Sequence, residues 1–505
     1  MRHPPPPLVP LMRIFWCAQV ACASLLMTVS ARAATISVPV GGNLQQAIDS
    51  AAPGDTVALA PGATFIGSFT LPARIGDAVI TIRTAGDDGL PGDGERVSPV
   101  NSGTLAVVRA IANAPAFKTL AGAHHWRLML LEVQGVGGSD VITLGDGSSA
   151  QTLLSQIPHD LVIDRVYIHG DPDKGQKRGI ALNSASTTIV SSYISDIKLA
   201  GQDSQAICGW NGPGPFTITN SYLEASGENL MFGGADPSVP NLVPADIEIS
   251  HNLVSKRLAW RTGPWTVKNL IELKNARRVT ISDNTFENNW DDAQPGFAIV
   301  FTVRNQDGRC PWCQVDHVTF ERNIVRHSAA GIKILGSDNN HPSQQTQTIL
   351  IRNNLFYDID SQVWGGNGYF LAMTDGARDI TVDHNTIVQV NALGVVQIDG
   401  PPVLQFVYTN NLSKYGSYGF AGSGRGSGNS AISAYLPGSN ITRNVIAGAP
   451  AASYPADNSF PSPAQFETQF VSFTGWDYRL VPSSPWRGAG TDGLDLGAPP
   501  LTAIR

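Results

Sequence analysis

The sequence predicts an all-β solenoid, a stack of short strands wound into repeated coils, and three observations carry that expectation. The first is a segment that occurs seven times, alternating apolar and polar residues before an asparagine and a further apolar residue. It is read at Ile247, Ile249, Asn252 and Val254, at Val279, Ile281, Asn284 and Phe286, and at Val318, Phe320, Asn323 and Val325. It returns at Ile349, Ile351, Asn354 and Phe356 and at Ile380, Val382, Asn385 and Ile387, then in shortened form around Asn411 and Asn444. The second is the spacing of those asparagines, 32, 39, 31, 31, 26 and 33 residues. That is the length of a solenoid coil, and the period-two alternation inside each copy belongs to strands. The third is composition: 51 Gly and 34 Pro supply turns, 42% hydrophobic residues supply a continuous core, and charged residues are sparse at 15%. Asparagine is expected to take the left-handed bend between strands and to stack, copy on copy, into a hydrogen-bonded ladder.

From the N-terminus, Arg2 and Arg13 precede an apolar stretch from Ile14 to Val29, and Ala31-Arg32-Ala33 has the small-x-small form of a cleavage site. Residues 1–33 are therefore expected to be a signal peptide, with a secreted or periplasmic mature chain starting near Ala34. A lipoprotein anchor at Cys22 fits poorly, because Gln19 stands where an aliphatic residue is wanted. Leu44, Ala47, Ile48 and Ala51 recur at helical spacing before Pro53 and Gly54, which predicts one short helix capping the first coil. Strand patterns follow at Thr56–Leu59, Val79–Ile82, Leu128–Val133 and Val141–Leu144. In the next coils the ladder position holds Val166, Ser192 and Ser221. A further strand per coil is expected at Leu230–Phe232, Leu270–Lys274, Ile299–Arg304, Ile332–Ile334, Phe370–Met373 and Val395–Ile398. The expected division is signal peptide 1–33, solenoid 34–450, and 451–505 as closure of the last coil and cap of the same domain.

Loss of the leader removes three arginines and no acids, so the formal charge moves from −7 to −10. An acidic surface repels nucleic acid at long range, and an anionic polysaccharide would need a local basic groove or a bridging cation. No stretch beyond the leader is apolar for long enough to span a membrane. Cys17 and Cys22 lie in the leader, leaving Cys208, Cys310 and Cys313. The pair Cys310 and Cys313 has redox-motif spacing but sits in a loop between strands, away from any βαβ unit, and lacks a second pair for zinc. A loop-stapling disulfide is expected, with Cys208 a buried filler.

These pieces together resemble the right-handed parallel β-helix proteins of the pectate-lyase-like superfamily. The entry segment Leu44 to Gly54, the asparagine ladder and the ending Asp495-Leu496-Gly497-Ala498 carry the resemblance over the whole mature chain. It implies a right-handed parallel β-helix with a short N-terminal capping helix and a polysaccharide partner; the superfamily spans lyases, hydrolases, epimerases, esterases and tail spikes. Lyases of this fold work on an exterior sheet face, with Lys or Arg as base and Ca²⁺ or basic groups as neutraliser. If Ile271 and Leu273 point inward, then Glu272 and Lys274, Arg304 and Lys333 point outward, and successive coils bring them to one face. Lys274, Arg304 and Lys333 would then supply base and charge neutralisation, with Glu272 orienting them.

Glu287, Asp291 and Asp292 offer hard oxygen ligands for Ca²⁺, or the paired carboxylates of a hydrolase; no organic cofactor is expected. Trp260, Trp265, Trp290, Trp312 and Trp364 lie in loops beside the central coils and offer flat faces to sugar rings. Among the histidines, His327 is the one placed to act as acid or base. The leading expectation is a lyase cleaving a uronic-acid polysaccharide by β-elimination. A polygalacturonase-like glycoside hydrolase and a non-catalytic carbohydrate-binding or cell-surface β-helix protein are the alternatives.

Overall fold

Alternating segments rich in Ile, Val, Phe and Thr bury one face and pair with the equivalent segment one coil away. The computed structural model describes residues 1–5 and 33–504. All but the ends of the signal segment therefore lie outside the described residues. Each regular coil has three strands. In the coil of Asn252 they are Ala245–Ser250, Leu253–Ser255 and Ile271–Leu273. Their counterparts in the next coil are Ala276–Ser282, Thr285–Asn289 and Phe297–Thr302. Stacked coils thus make three columns of parallel strands. The first and second columns belong to one 25-stranded sheet, and the third forms most of a separate 13-stranded sheet. Register is strict: Ile249, Ile281, Phe320, Ile351 and Val382 are successive partners and all are buried. Each such side chain stabilises the fold by about 2 kcal/mol, and a one-residue slip would turn the whole set to solvent.

Between the first and second columns runs the asparagine ladder. Asn252 Nδ2 donates to Asn284 Oδ1 at 3.0 Å, and the same bond repeats from Asn284 to Asn323, Asn323 to Asn354, Asn354 to Asn385, Asn385 to Asn411 and Asn411 to Asn444. It continues one step further than the sequence spacing indicated, from Asn444 to Asn458 at 2.9 Å. Toward the N-terminus the ladder position is filled as read: Val166 N donates to Ser192 Oγ, Ser192 N to Ser221 Oγ, and Ser221 N to Asn252 Oδ1. One expectation is corrected. The left-handed residue of the bend is not the ladder asparagine but the one before it: His251, Asp283, Arg322, Asn353, His384, Asn410 and Arg443 all have φ between 51° and 59°. This frees the asparagine side chain to point inward, where a backbone amide of the previous coil meets it.

The entry helix spans Leu44–Ser50, is capped by the Asn43 side chain, and lays Leu44, Ala47 and Ile48 on the first coil. At the other end the chain does more than close a coil. A short helix Pro463–Glu467 and a hairpin of Phe470–Ser472 with Asp477–Leu480 pack Phe466, Phe470, Trp486 and Leu496 against Leu412 and Val445. The tail then runs back along the second column: Ala498 N donates to Thr386 Oγ1 and Ile504 N to Thr285 Oγ1. Among the described residues no helix is long and apolar enough to cross a membrane.

Candidate functional site

Outward positions of the third column form a straight row, because parallel register repeats them every coil. Cys208, Met231, Glu272, Val300, Lys333, Ala372 and Gln397 are successive partners. Lys274 lies just past the end of its strand, and Arg304 follows the next coil's strand. The Arg304 amide donates to the Lys274 carbonyl at 2.9 Å, so the two basic residues leave adjacent strands side by side. Lys274 Nζ stands 3.8 Å from Glu272 Oε1. Thr302 Oγ1 donates to the same oxygen at 2.9 Å, and Asn269 Nδ2 donates to Glu272 Oε2 at 3.2 Å. Glu272 is thereby fixed from three sides.

Lys333 shares the outward face but sits in the row of Glu272, two strands away, about 9.6 Å at the usual strand spacing. It is not in the row of Lys274. Arg304 directs Nη1 to Asp338 Oδ1 at 2.8 Å and to Asn339 Oδ1 at 2.6 Å. Despite its burial, the backbone amides of Asn340 and Asn305, and then the guanidinium, hold the Asp338 carboxyl below its ordinary value. Gly233 and Gly234 (φ +100° and +86°) let the chain pass directly beneath Lys274: a Cβ on Gly233 would stand 2.7 Å from the Lys274 Cβ.

Below Lys274 the face continues into charged residues that the sequence did not flag. Glu228 is fully buried, accepts from Gln205 Nε2 at 2.8 Å and lies 3.2 Å from Lys268 Nζ, which also reaches Asp203 at 2.6 Å. Burial, followed by the neighbouring Glu272 and Asp203 charges, pushes Glu228 above its ordinary value. Two coils below Glu228, Arg178 lies 5.0 Å over the Trp210 ring and 3.3 Å from Asp140. Cys208 sits in the row of Met231 and Glu272, buried, with its thiol pushed up to about 11 by that burial.

The tryptophans behave differently from expectation. Trp260, Trp290 and Trp364 are buried in a cluster of their own with Val267 and Ala329, and Trp265 packs against it half-buried. The indoles meet each other, and Trp260, Trp290 and Trp364 have no open face for sugar. Arg261 closes that cluster, 5.0 Å from the Trp364 ring. Trp312 is half-buried against the main core and donates Nε1 to Leu242 O at 3.1 Å. It lies beside the Cys310–Cys313 disulfide, which staples the long loop after Arg304.

Glu287, Asp291 and Asp292 do not converge. Glu287 Oε2 takes two bonds from Arg326, at 2.6 and 2.8 Å, on the second column. Asp292 Oδ2 accepts from the Val267 amide, and Asp291 is exposed in the following turn. Three carboxylates already engaged or turned apart do not fit one Ca²⁺ cage. Among the described residues no group of three or more His, Cys, Asp or Glu is disposed to hold a metal ion.

The comparisons with known proteins agree with this architecture. The family model for the right-handed β-helix region matches residues 138–386. A PL6-family alginate lyase structure superimposes with a TM-score of 0.53 at 13% identity, covering 93% of this chain and 59% of its own. The chain thus spans 59% of that lyase's length. A mannuronic-acid-specific polysaccharide family 6 lyase from human gut microbiota gives a TM-score of 0.47 at 12% identity, covering 86% of this chain and 93% of its own. No curated protein matches the sequence. The chain has a right-handed parallel β-helix fold.

Proposed function

We propose that this β-helix protein is an exported polysaccharide lyase that cleaves a uronic-acid-containing chain by β-elimination on the outward face of its third column. The observation that carries the reading is the juxtaposition of Lys274 and Arg304 on adjacent coils, with Glu272 fixed beside Lys274. Export follows from the three-part leader in residues 1–33. The alginate lyase whose fold it shares supports the same reading, a polyuronate substrate.

In the proposed step, Lys274 takes the proton from the carbon that bears the uronate carboxylate. The electron pair left behind forms the double bond to the next carbon, and the glycosidic oxygen on that carbon departs, taking a proton from water. Arg304 and Lys333 offset the carboxylate's negative charge as it delocalises, which is where preorganised cations lower the barrier most. Glu272 positions the Lys274 side chain, and Lys274 passes the proton it took to the hydroxide left by that water. Glu287, Asp291 and Asp292 do not fit a shared cation, and no step runs through a metal.

The test uses alginate, polygalacturonate and a neutral polysaccharide, each with Ca²⁺ and with a chelator. New ultraviolet absorbance from an unsaturated uronate is expected with a polyuronate, and Lys274→Ala should lower its rate about 10³-fold with unchanged thermal stability. Reducing ends without that absorbance would instead establish hydrolysis, and no product from any polymer would overturn an enzymatic role.

A further inference from the structure

We infer that the chain carries a second carbohydrate-binding site, on the second column where the C-terminal hairpin folds over it, with Trp476 as its platform. This rests on the carbohydrate part of the reading above and not on elimination chemistry. Trp476 occupies the hairpin turn with φ +61°, an unusual conformation for a bulky side chain, and 52% of it is exposed. Its ring is held from behind: His327 lies 5.4 Å away edge-on and Tyr357 5.5 Å away. An exposed indole fixed in this way offers an apolar plane at little further cost in side-chain entropy.

Polar groups that would meet a sugar's hydroxyls surround it. His327 Nδ1 is bonded to Asp358 Oδ2 at 2.6 Å, which leaves Nε2 to meet a ligand. The Trp364 Nε1 donates to the same carboxylate oxygen at 3.2 Å, so Asp358 is itself locked. Arg326 donates to the Tyr357 hydroxyl at 2.9 Å and is braced by Glu287. On the other flank of the hairpin, Trp476 and Tyr478 wall a cavity of about 280 Å³ that is also lined by Leu355, Thr386 and Arg479. An aromatic plane, oriented hydrogen-bonding groups and an adjoining hollow are together the chemistry that binds a pyranose ring. Lys274 and Arg304 take no part, since they leave the third column. The occupant is therefore a stretch of polysaccharide outside the reacting sugars, and its capture would hold the enzyme on a polymer between cleavages.

The experiment is native electrophoresis through gels containing alginate, polygalacturonate or dextran, for the wild type, Trp476→Ala, Trp476→Phe and His327→Ala. At least one polymer should retard the wild type. Trp476→Ala should weaken the apparent affinity for it about tenfold, Trp476→Phe about twofold or less, and His327→Ala by an intermediate factor. Thermal midpoints identify any variant that has lost its fold, and the remaining variants still decide the outcome. Equal retardation of wild type and both alanine variants, or no retardation of the wild type by any polymer, overturns the site. Retardation lost in Trp476→Ala alongside an absence of unsaturated products would keep this site and remove the lyase.

Discussion

The early and late coils of this solenoid solve the same bend in two ways. In the early coils Ser192 Oγ accepts from the Val166 amide and donates to Val190 O within its own coil. A serine therefore ties its coil to one neighbour. In the late coils Asn284 Oδ1 accepts both the amide and the side-chain N–H of Asn252, while Asn284 Nδ2 donates to Ile249 O and to Asn323 Oδ1. An asparagine ties three coils together, and buried hydrogen-bond networks of this kind rigidify what they join. Lys274, Arg304 and Lys333 all stand on coils of the asparagine half. The candidate site is built where the scaffold is most heavily cross-bonded, which suits a reaction that depends on fixed charges.

The largest test of that contrast is Asn323→Leu. It removes four hydrogen bonds: those that Asn323 Oδ1 accepts from the Asn284 amide and side chain, and those that its Nδ2 donates to Ile281 O and Asn354 Oδ1. Chemical denaturation should show a loss of about 4 kcal/mol; a loss within 1 kcal/mol of wild type would show that the ladder is not the tie described.

The junction between the halves gives a second test. Lys256 is fully buried, and its Nζ reaches the carbonyls of Ala225, Ser226, Gly227 and Asn269 together with Asn229 Oδ1. These oxygens favour the ammonium, yet burial pushes Lys256 down to about 7 from an ordinary 10.5. The unfolded chain then holds the proton between those values and the folded chain does not. Stability relative to Lys256→Met should therefore rise with pH across that window, by at most about 1.4 kcal/mol per pH unit. A difference that is flat or falls over the window would place the proton on Lys256 throughout.

The smallest effect is expected at Ser192→Ala, about 1 kcal/mol by the same denaturation assay, since a single amide of a neighbouring coil is orphaned. A cost matching that of Asn323→Leu would erase the distinction between the halves.

The interior of the solenoid was legible because alternation and ladder residues are local signals. Even Val166, Ser192 and Ser221 were placed in register before any asparagine appears. Asn458 escaped because it follows Asn444 by 14 residues and no strand pattern surrounds it. For the site, alternation placed Glu272, Lys274, Arg304 and Lys333 outward, yet it could not align them along the strands. The stretch from ladder asparagine to the row of Glu272, Val300 and Lys333 is 20, 16 and 10 residues in successive coils, so loop length hides the register. Glu228, Gln205 and Arg178 would have appeared had the third column been extended downward through Gln205–Gly209 and Gln176–Leu182. The tryptophans misled because a loop residue's exposure depends on what other loops pack against it.

The returning C-terminal tail changes how the molecule comes apart. A stack whose units touch only their neighbours can fray from either end, one unit at a time. Here Ile504 is fastened to Thr285 and Ala498 to Thr386, so the chain's end is laced to units well inside the stack. Peeling the last coil first requires unlacing that seam, and unlacing also uncovers the second column around Ile324, Tyr357 and Val388. The C-terminal half should therefore open as one cooperative block.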